Sequence, residues 1–142
     1  MPYSYYEHVS DIGIRAEGRT LEEAFACGME AALAVMFDLD TIGDVTAIEA
    51  RASAPEIDLL FVEAINEVLS LMGRDELALK GIRDVKIERD ASGGYAFSAT
   101  AYGERFDMDK HAARTEVKGA TYSGLSYGES DGAHVLTCIL DV

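Results

Sequence analysis

Three places along the chain carry side chains that could do chemistry. The first is His8-Val9-Ser10-Asp11-Ile12-Gly13, where Asp11 stands just before an alternating segment. An aspartate there commonly hydrogen-bonds nearby backbone in a turn, and a single carboxylate cannot hold a hard cation without further oxygens. The second is Ile139-Leu140-Asp141-Val142, which gathers the Asp141 side chain, its carbonyl and the Val142 carboxylate at one spot. Ca²⁺ and Mg²⁺ take oxygen ligands of this kind; without a partner, such an end is simply solvated. Nearly the whole chain separates the two aspartates, so spacing alone leaves their meeting open. The third is Asp107-Met108-Asp109-Lys110-His111. It reads either as a solvated loop or as an acid/base pair beside a phosphate-binding lysine.

Other chemistries lack their signatures. No HxxxH or CxxC spacing points to zinc. Gly93-Gly94 is followed by neither the lysine nor the helix of a phosphate loop, and there is no GxSxG elbow. Cys27 and Cys138 lie inside apolar segments, where free buried thiols are expected ahead of a disulfide.

Charge narrows the partners. Twelve Lys+Arg against 26 Asp+Glu give a net charge of -14. Such a field repels a phosphate backbone and leaves little counterion release to drive nucleic-acid binding. Strong direct RNA or DNA binding is therefore not expected, whereas docking on a basic protein would be accelerated. No apolar run approaches the ~20 residues that span a bilayer, and the first residues lack a secretory pattern. A cytoplasmic protein without membrane attachment is expected.

The elements that must position these residues fit one domain over 1–142, a length that buries roughly 70% of the unfolded chain's surface without staples. Ile12 to Glu17 alternates as a half-buried strand. Thr20-Leu21-Glu22-Glu23 has capping-box spacing. The helix that follows repeats Leu21, Ala24, Phe25, Gly28, Ala31, Ala32, Val35 and Met36 on one broad face. Its small residues allow close approach. Val45 to Ala52 reads as extended. Ser53-Ala54-Pro55-Glu56 has the same capping spacing ahead of a second helix, whose face runs from Ile57 to Met72 and which Gly73 could close. Val85 and Ile87, the turn Ser92-Gly93-Gly94, then Tyr95 to Ala101 form a hairpin. Thr115 to Tyr127 reads as one long strand, Asp131-Gly132 as a turn and Ala133 to Val142 as a last strand. The expected class is α+β: a mostly antiparallel sheet with two helices packed on one face.

Read together, these segments resemble the archease family, small accessory proteins of RtcB-type RNA ligases. The resemblance runs from His8 to Val142. It is carried by His8-Val9-Ser10-Asp11-Ile12-Gly13, Gly18-Arg19-Thr20-Leu21-Glu22-Glu23-Ala24-Phe25 and Ile65-Asn66-Glu67. Further on it rests on Gly103-Glu104, Asp107, Lys110-His111, Thr115-Glu116-Val117-Lys118, Thr121-Tyr122-Ser123-Gly124-Leu125 and Leu140-Asp141-Val142. It implies an activator that promotes guanylylation of the ligase and multiple turnover in tRNA splicing and RNA repair, without catalysis of its own. It also implies a divalent metal, Ca²⁺ or Mg²⁺, on Asp11, Asp141 and a main-chain oxygen of Val142. The functional polar surface it implies comprises Lys110, His111 and Glu116. The chain departs from the family pattern at Val9-Ser10, at Ala64 where tryptophan is common, and at Ser123 where histidine is frequent. Two other readings stand beside it. One is a metal-dependent phosphoester hydrolase using Asp11, Asp141 and His8; the other is a chaperone-like interaction module.

Overall fold

Strands from the two ends of the sequence pair at the middle of one sheet, and the rest of the chain is built around that pairing. The computed structural model describes residues 2–8, 11–111 and 113–142, without the side chains of Glu7 and His8. In chain order the elements are β1 (Tyr3–His8), β2 (Asp11–Gly18), α1 (Leu21–Met36), β3 (Thr46–Ala54), α2 (Ile57–Asp75), β4 (Leu77–Arg89), β5 (Tyr95–Arg105), β6 (Gly119–Ser130) and β7 (Ala133–Asp141). They form a four-stranded sheet, β1-β2-β7-β6, and a three-stranded sheet, β3-β5-β4. All described pairings are antiparallel.

The α+β class and the antiparallel pairing agree with the sequence expectation, but there are two sheets where one was expected, and the helices lie between them. α1 packs on β2 and β4, and α2 on β3 and β6. The reason is visible in the helices. α1 buries Ala24, Phe25, Cys27, Gly28, Met29, Ala31, Ala32 and Leu33, an arc too wide for a single contact face, and a helix apolar over most of its circumference belongs inside. Phe25 sits edge-on to Phe61 (5.3 Å between centroids) and stacks on Phe97 (5.8 Å), joining α1, α2 and β5. Cys27 and Cys138 are both free and buried.

Local signals were met or overridden for identifiable reasons. The Thr20 hydroxyl accepts from the Glu23 N–H at 3.1 Å, while the Glu23 carboxylate reaches the Arg19 N–H at 2.9 Å rather than that of Thr20. No such cap forms at Ser53, because Ser53 and Ala54 still pair with Ala96 and Tyr95 in the β3–β5 ladder. α2 starts after Glu56 without a side-chain cap. It also runs past Gly73 to Asp75, and the left-handed Glu76 (φ 54°) ends it. The tyrosines of β1 serve both faces: Tyr5 donates to the Ala31 carbonyl of α1 at 3.0 Å, while Tyr6 crosses Gly13 closely. A Cβ on Gly13 would lie 2.2 Å from that ring.

The expected strand from Thr115 begins only at Gly119. The Arg114 and Thr115 N–H groups instead donate to the Met36 and Val35 carbonyls (2.7 and 3.3 Å), satisfying α1's terminal acceptors. β6 then bulges between Thr121 and Ser126, with Gly124 at φ 62° lying against Ile139. Asp131 and Gly132, both at positive φ, make the two-residue hairpin turn into β7.

Close helix contact is the feature most sensitive to volume. A Cβ on Gly28 would stand 2.3 Å from the Phe61 ring, and Phe61 is fully buried with no room to retreat. Gly28→Ala is expected to destabilise the fold by about 1–3 kcal/mol despite its gain in helix propensity, read as a lower urea midpoint with unchanged slope.

Candidate metal and partner site

The β2–β7 register sets Asp11 directly opposite Asp141, followed by Ile12 opposite Leu140, Gly13 opposite Ile139 and Ile14 opposite Cys138. Alternation sends Ile14, Ala16, Leu136, Cys138 and Leu140 to the helices, so Asp11 and Asp141 share the outward face. Residues directly opposite in such a ladder hold their Cβ atoms roughly 4.5–5.5 Å apart, and like charges in that position are unfavourable by themselves. The row extends to both edges of the sheet, with His8 opposite Asp11 on one side and Gly119 opposite Asp141 on the other. The His8 side chain, and Val9 and Ser10 of the same motif, lie outside the described residues.

Neighbouring segments hold the Asp141 end in place. The Lys118 N–H donates to the Asp141 carbonyl at 2.8 Å, so this expected oxygen donor already has a protein partner on one lone pair. The Asn66 side chain of α2 closes a two-bond clamp on Ala120: its amide donates to the carbonyl (3.2 Å) and its oxygen accepts from the N–H (2.8 Å). In the sequence Asn66 stands out only as part of the Ile65-Asn66-Glu67 motif. Asn66 is part-buried and stands off the buried face of α2, so its residue type and spacing carry no signal that marks it. Val142 is half-buried beyond β7 and packs on the core. Among the described residues, no three His, Cys, Asp or Glu side chains converge as a metal-holding group.

In the Asp107–His111 run, Asp107 to Lys110 are exposed, as a solvated loop would be, and His111 alone turns into the interior. Asp107 caps a turn, accepting from the Asp109 N–H at 3.0 Å, and His111 is buried, only 1% exposed. The Asp107 N–H donates to His111 Nδ1 at 2.9 Å. The ring proton therefore stands on Nε2, which donates to Glu104 Oε2 at 2.7 Å. Glu104 Oε2 also accepts from the Gly43 N–H at 2.7 Å. Lys110 Nζ lies 2.8 Å from Oε2 and 3.0 Å from Oε1. Lys110, Gly43 and His111, in that order, draw the Glu104 carboxyl down to about 2 from the ordinary 4.5. In the sequence Glu104 is only a motif residue; two of its partners, Lys110 and His111, follow six and seven residues later, and the third, Gly43, lies in a distant segment that no spacing reveals. Lys110 is half-exposed, and His111 acts from the interior on Glu104 rather than presenting its ring outward.

Glu116 is exposed and lines a groove of about 640 Å³ with Met36, Met72, Phe106 and Val117 between the ends of the two helices. A second groove of about 630 Å³ is lined by Asp11, Tyr5, Tyr6, Val35 and Arg114. Asp11 and Glu116 border separate grooves that share Arg114 and Thr115 beside the end of α1, where Arg114 binds the Met36 carbonyl; Lys110 lines neither groove, but its neighbour His111 lies 6.0 Å from the Phe106 ring, which is 6.0 Å from Phe37.

Fold and site define a class of small α+β domain in which two helices are held between antiparallel sheets and an aspartate pair crosses the central strands of one of them. The chain belongs to the Archease protein family, whose match covers residues 3–142. It is 32% identical over 140 residues to a protein archease of Sulfolobus acidocaldarius, covering 99% of this chain and 98% of that one. To a protein archease of Methanosarcina barkeri it is 31% identical over 140 residues, covering 99% and 95%. Among solved structures it resembles a Methanobacterium thermoautotrophicum protein with a TM-score of 0.86 at 25% identity, covering 99% of both chains. The fold also resembles that of a Thermotoga maritima protein described as an archease and possible chaperone, with a TM-score of 0.64 at 19% identity over 96% of this chain and 94% of that one.

The Glu104 arrangement has a definite acid signature. Its folded pKa lies below the ordinary value, so the stabilisation is complete above about 4.5 and is lost as pH falls toward 2. In a carbon-detected titration the Glu104 carboxyl should show a midpoint near 2, well below the ~4.3 of a glutamate in a model peptide. A midpoint in that ordinary range would mean that the three donors are not held.

Proposed function

We propose that this protein is a non-catalytic accessory of an RtcB-type RNA ligase, promoting guanylylation of the ligase and its repeated turnover in tRNA splicing and RNA repair. Family membership supplies the class of function, and the Asp11–Asp141 register is the observation on which the reading rests. Two carboxylates with a main-chain oxygen of Val142 form an all-oxygen donor set. That suits a hard cation such as Ca²⁺ or Mg²⁺ that keeps water in its remaining positions. When bound, the cation supplies positive charge that can orient phosphate oxygens.

The protein's own residues do the rest. Lys110 offers a half-exposed ammonium, suited to a phosphate or carboxylate of the partner. Glu116 borders the groove between the ends of the two helices. With a net charge of -14, the domain associates with a basic protein far more readily than with RNA. The cytoplasm suits two unpaired buried thiols, and no helix among the described residues is long and apolar enough to cross a membrane.

Calorimetry should detect Ca²⁺ or Mg²⁺ binding to the wild-type protein, abolished in Asp141→Ala. In a guanylylation assay with the ligase, Asp11→Ala and Asp141→Ala should each lower the stimulated rate by about tenfold or more, on the order of 1.4 kcal/mol, and chelator should do the same to the wild type. Full stimulation by both variants would reduce the carboxylates to a structural role. Chelator-sensitive phosphoester turnover by the isolated protein would favour the hydrolase instead, and stimulation of unrelated client proteins the chaperone-like module.

A further inference from the structure

We infer that Glu104 is a positioning residue for Lys110, holding the ammonium at a set place on the partner-facing end of the molecule. The inference rests on the ligase-accessory reading for what Lys110 then does, but its geometry stands alone. Glu104 lies at the end of β5 with its side chain only 13% exposed. Two of its donors are rigidly placed. One is the Gly43 N–H, in the loop after α1, and the other is Nε2 of buried His111. His111 in turn is oriented by the Asp107 N–H, so backbone fixes the ring, the ring and backbone fix the carboxylate, and the carboxylate faces Lys110 with both oxygens within reach.

A lysine ammonium is a point charge on a flexible four-carbon stem, and an exposed one samples many rotamers. Glu104 is what restricts it here. Tying the Gly43 loop to the Asp107–His111 turn needs only the Gly43 and His111 contacts, so the Lys110 contact is not required by the fold. Burial of His111 acquires a purpose on the same account: it is the support behind Glu104.

Glu104→Gln separates the two roles. Its amide oxygen can replace Oε2 as acceptor for Gly43 and His111, whereas the charge is lost and the amide nitrogen faces Lys110 at the Oε1 position. Pulse acetylation of the native protein, read by mass spectrometry, compares Lys110 with Lys86. Lys110 should react several-fold more slowly than Lys86 in the wild type and at a similar rate in Glu104→Gln, while the melting temperature falls modestly with the loss of the charge, the fold stays cooperative and the His111 ring ¹⁵N shifts stay close to wild type. Ligase stimulation by Glu104→Gln should fall to that of Lys110→Ala. An unchanged Lys110 acetylation ratio overturns the inference whatever the ligase does. A released Lys110 with full stimulation, where Lys110→Ala loses it, overturns the positioning role. Full stimulation by both variants overturns the use of Lys110 at the ligase, while a changed acetylation ratio would still uphold the geometry. If Glu104→Gln fails to fold, Lys110→Gln reads the same contact from the other side: the Glu104 titration midpoint must rise from about 2, and an unmoved midpoint overturns the inference.

Discussion

Pairing of β2 with β7 is the constraint on which the remaining structure depends. It joins residues from the two ends of the sequence at the centre of the four-stranded sheet, and its register is set by what each face must meet. Ile14, Ala16, Leu136, Cys138 and Leu140 point toward the helices and are all buried. A slip of one residue would turn them to solvent and drive Asp11 or Asp141 into the core, a cost no local contact could offset. The apolar alternation that builds the core therefore also decides that the two aspartates face outward together. The facing aspartates and the hydrophobic core are two faces of one ladder.

Around that ladder, the polar end of the molecule is held by backbone hydrogen bonds more than by surface ion pairs. The stretch from Arg114 to Lys118 donates to the Met36, Val35 and Asp141 carbonyls, linking the end of α1 to the end of β7. Asn66 fastens the start of β6 from the opposite helix. These contacts give an irregular segment defined positions without a regular ladder, which is how a loop can carry function on a rigid support. Surface pairs such as Arg105–Glu76 and Arg74–Asp75 are well exposed and contribute little by comparison.

Charge is distributed to match. An acidic surface gives long-range attraction to a basic partner, and Lys110 is one of only four lysines in the chain. Its ion pair with Glu104 limits its reach and its freedom together. Such an arrangement favours a single approach geometry over indiscriminate attraction to anions.

Much of this was legible in the residues. The Thr20–Glu23 cap, the repeating apolar face of α1 and the Asp131-Gly132 turn are local features, with partners within a few positions, so periodicity and side-chain chemistry determine them. Where local signals failed, a distant contact had overridden them: Ser53 stayed in a ladder with Ala96, α2 outran Gly73, and Arg114 and Thr115 turned to cap α1 instead of starting β6. The candidate site divides the same way. The sequence by itself determined that Asp11 and Asp141 are carboxylates next to apolar strands, and that Lys110 stands out in an acidic chain. Only the tertiary structure decided that the aspartates oppose each other, that His111 is buried, and that Glu104 gathers Gly43, Lys110 and His111. The aspartate pairing and the Gly43–Glu104 contact depend on register and packing between segments far apart in sequence, while Lys110 and His111 reach Glu104 through a turn six and seven residues on whose shape their residue types alone do not fix.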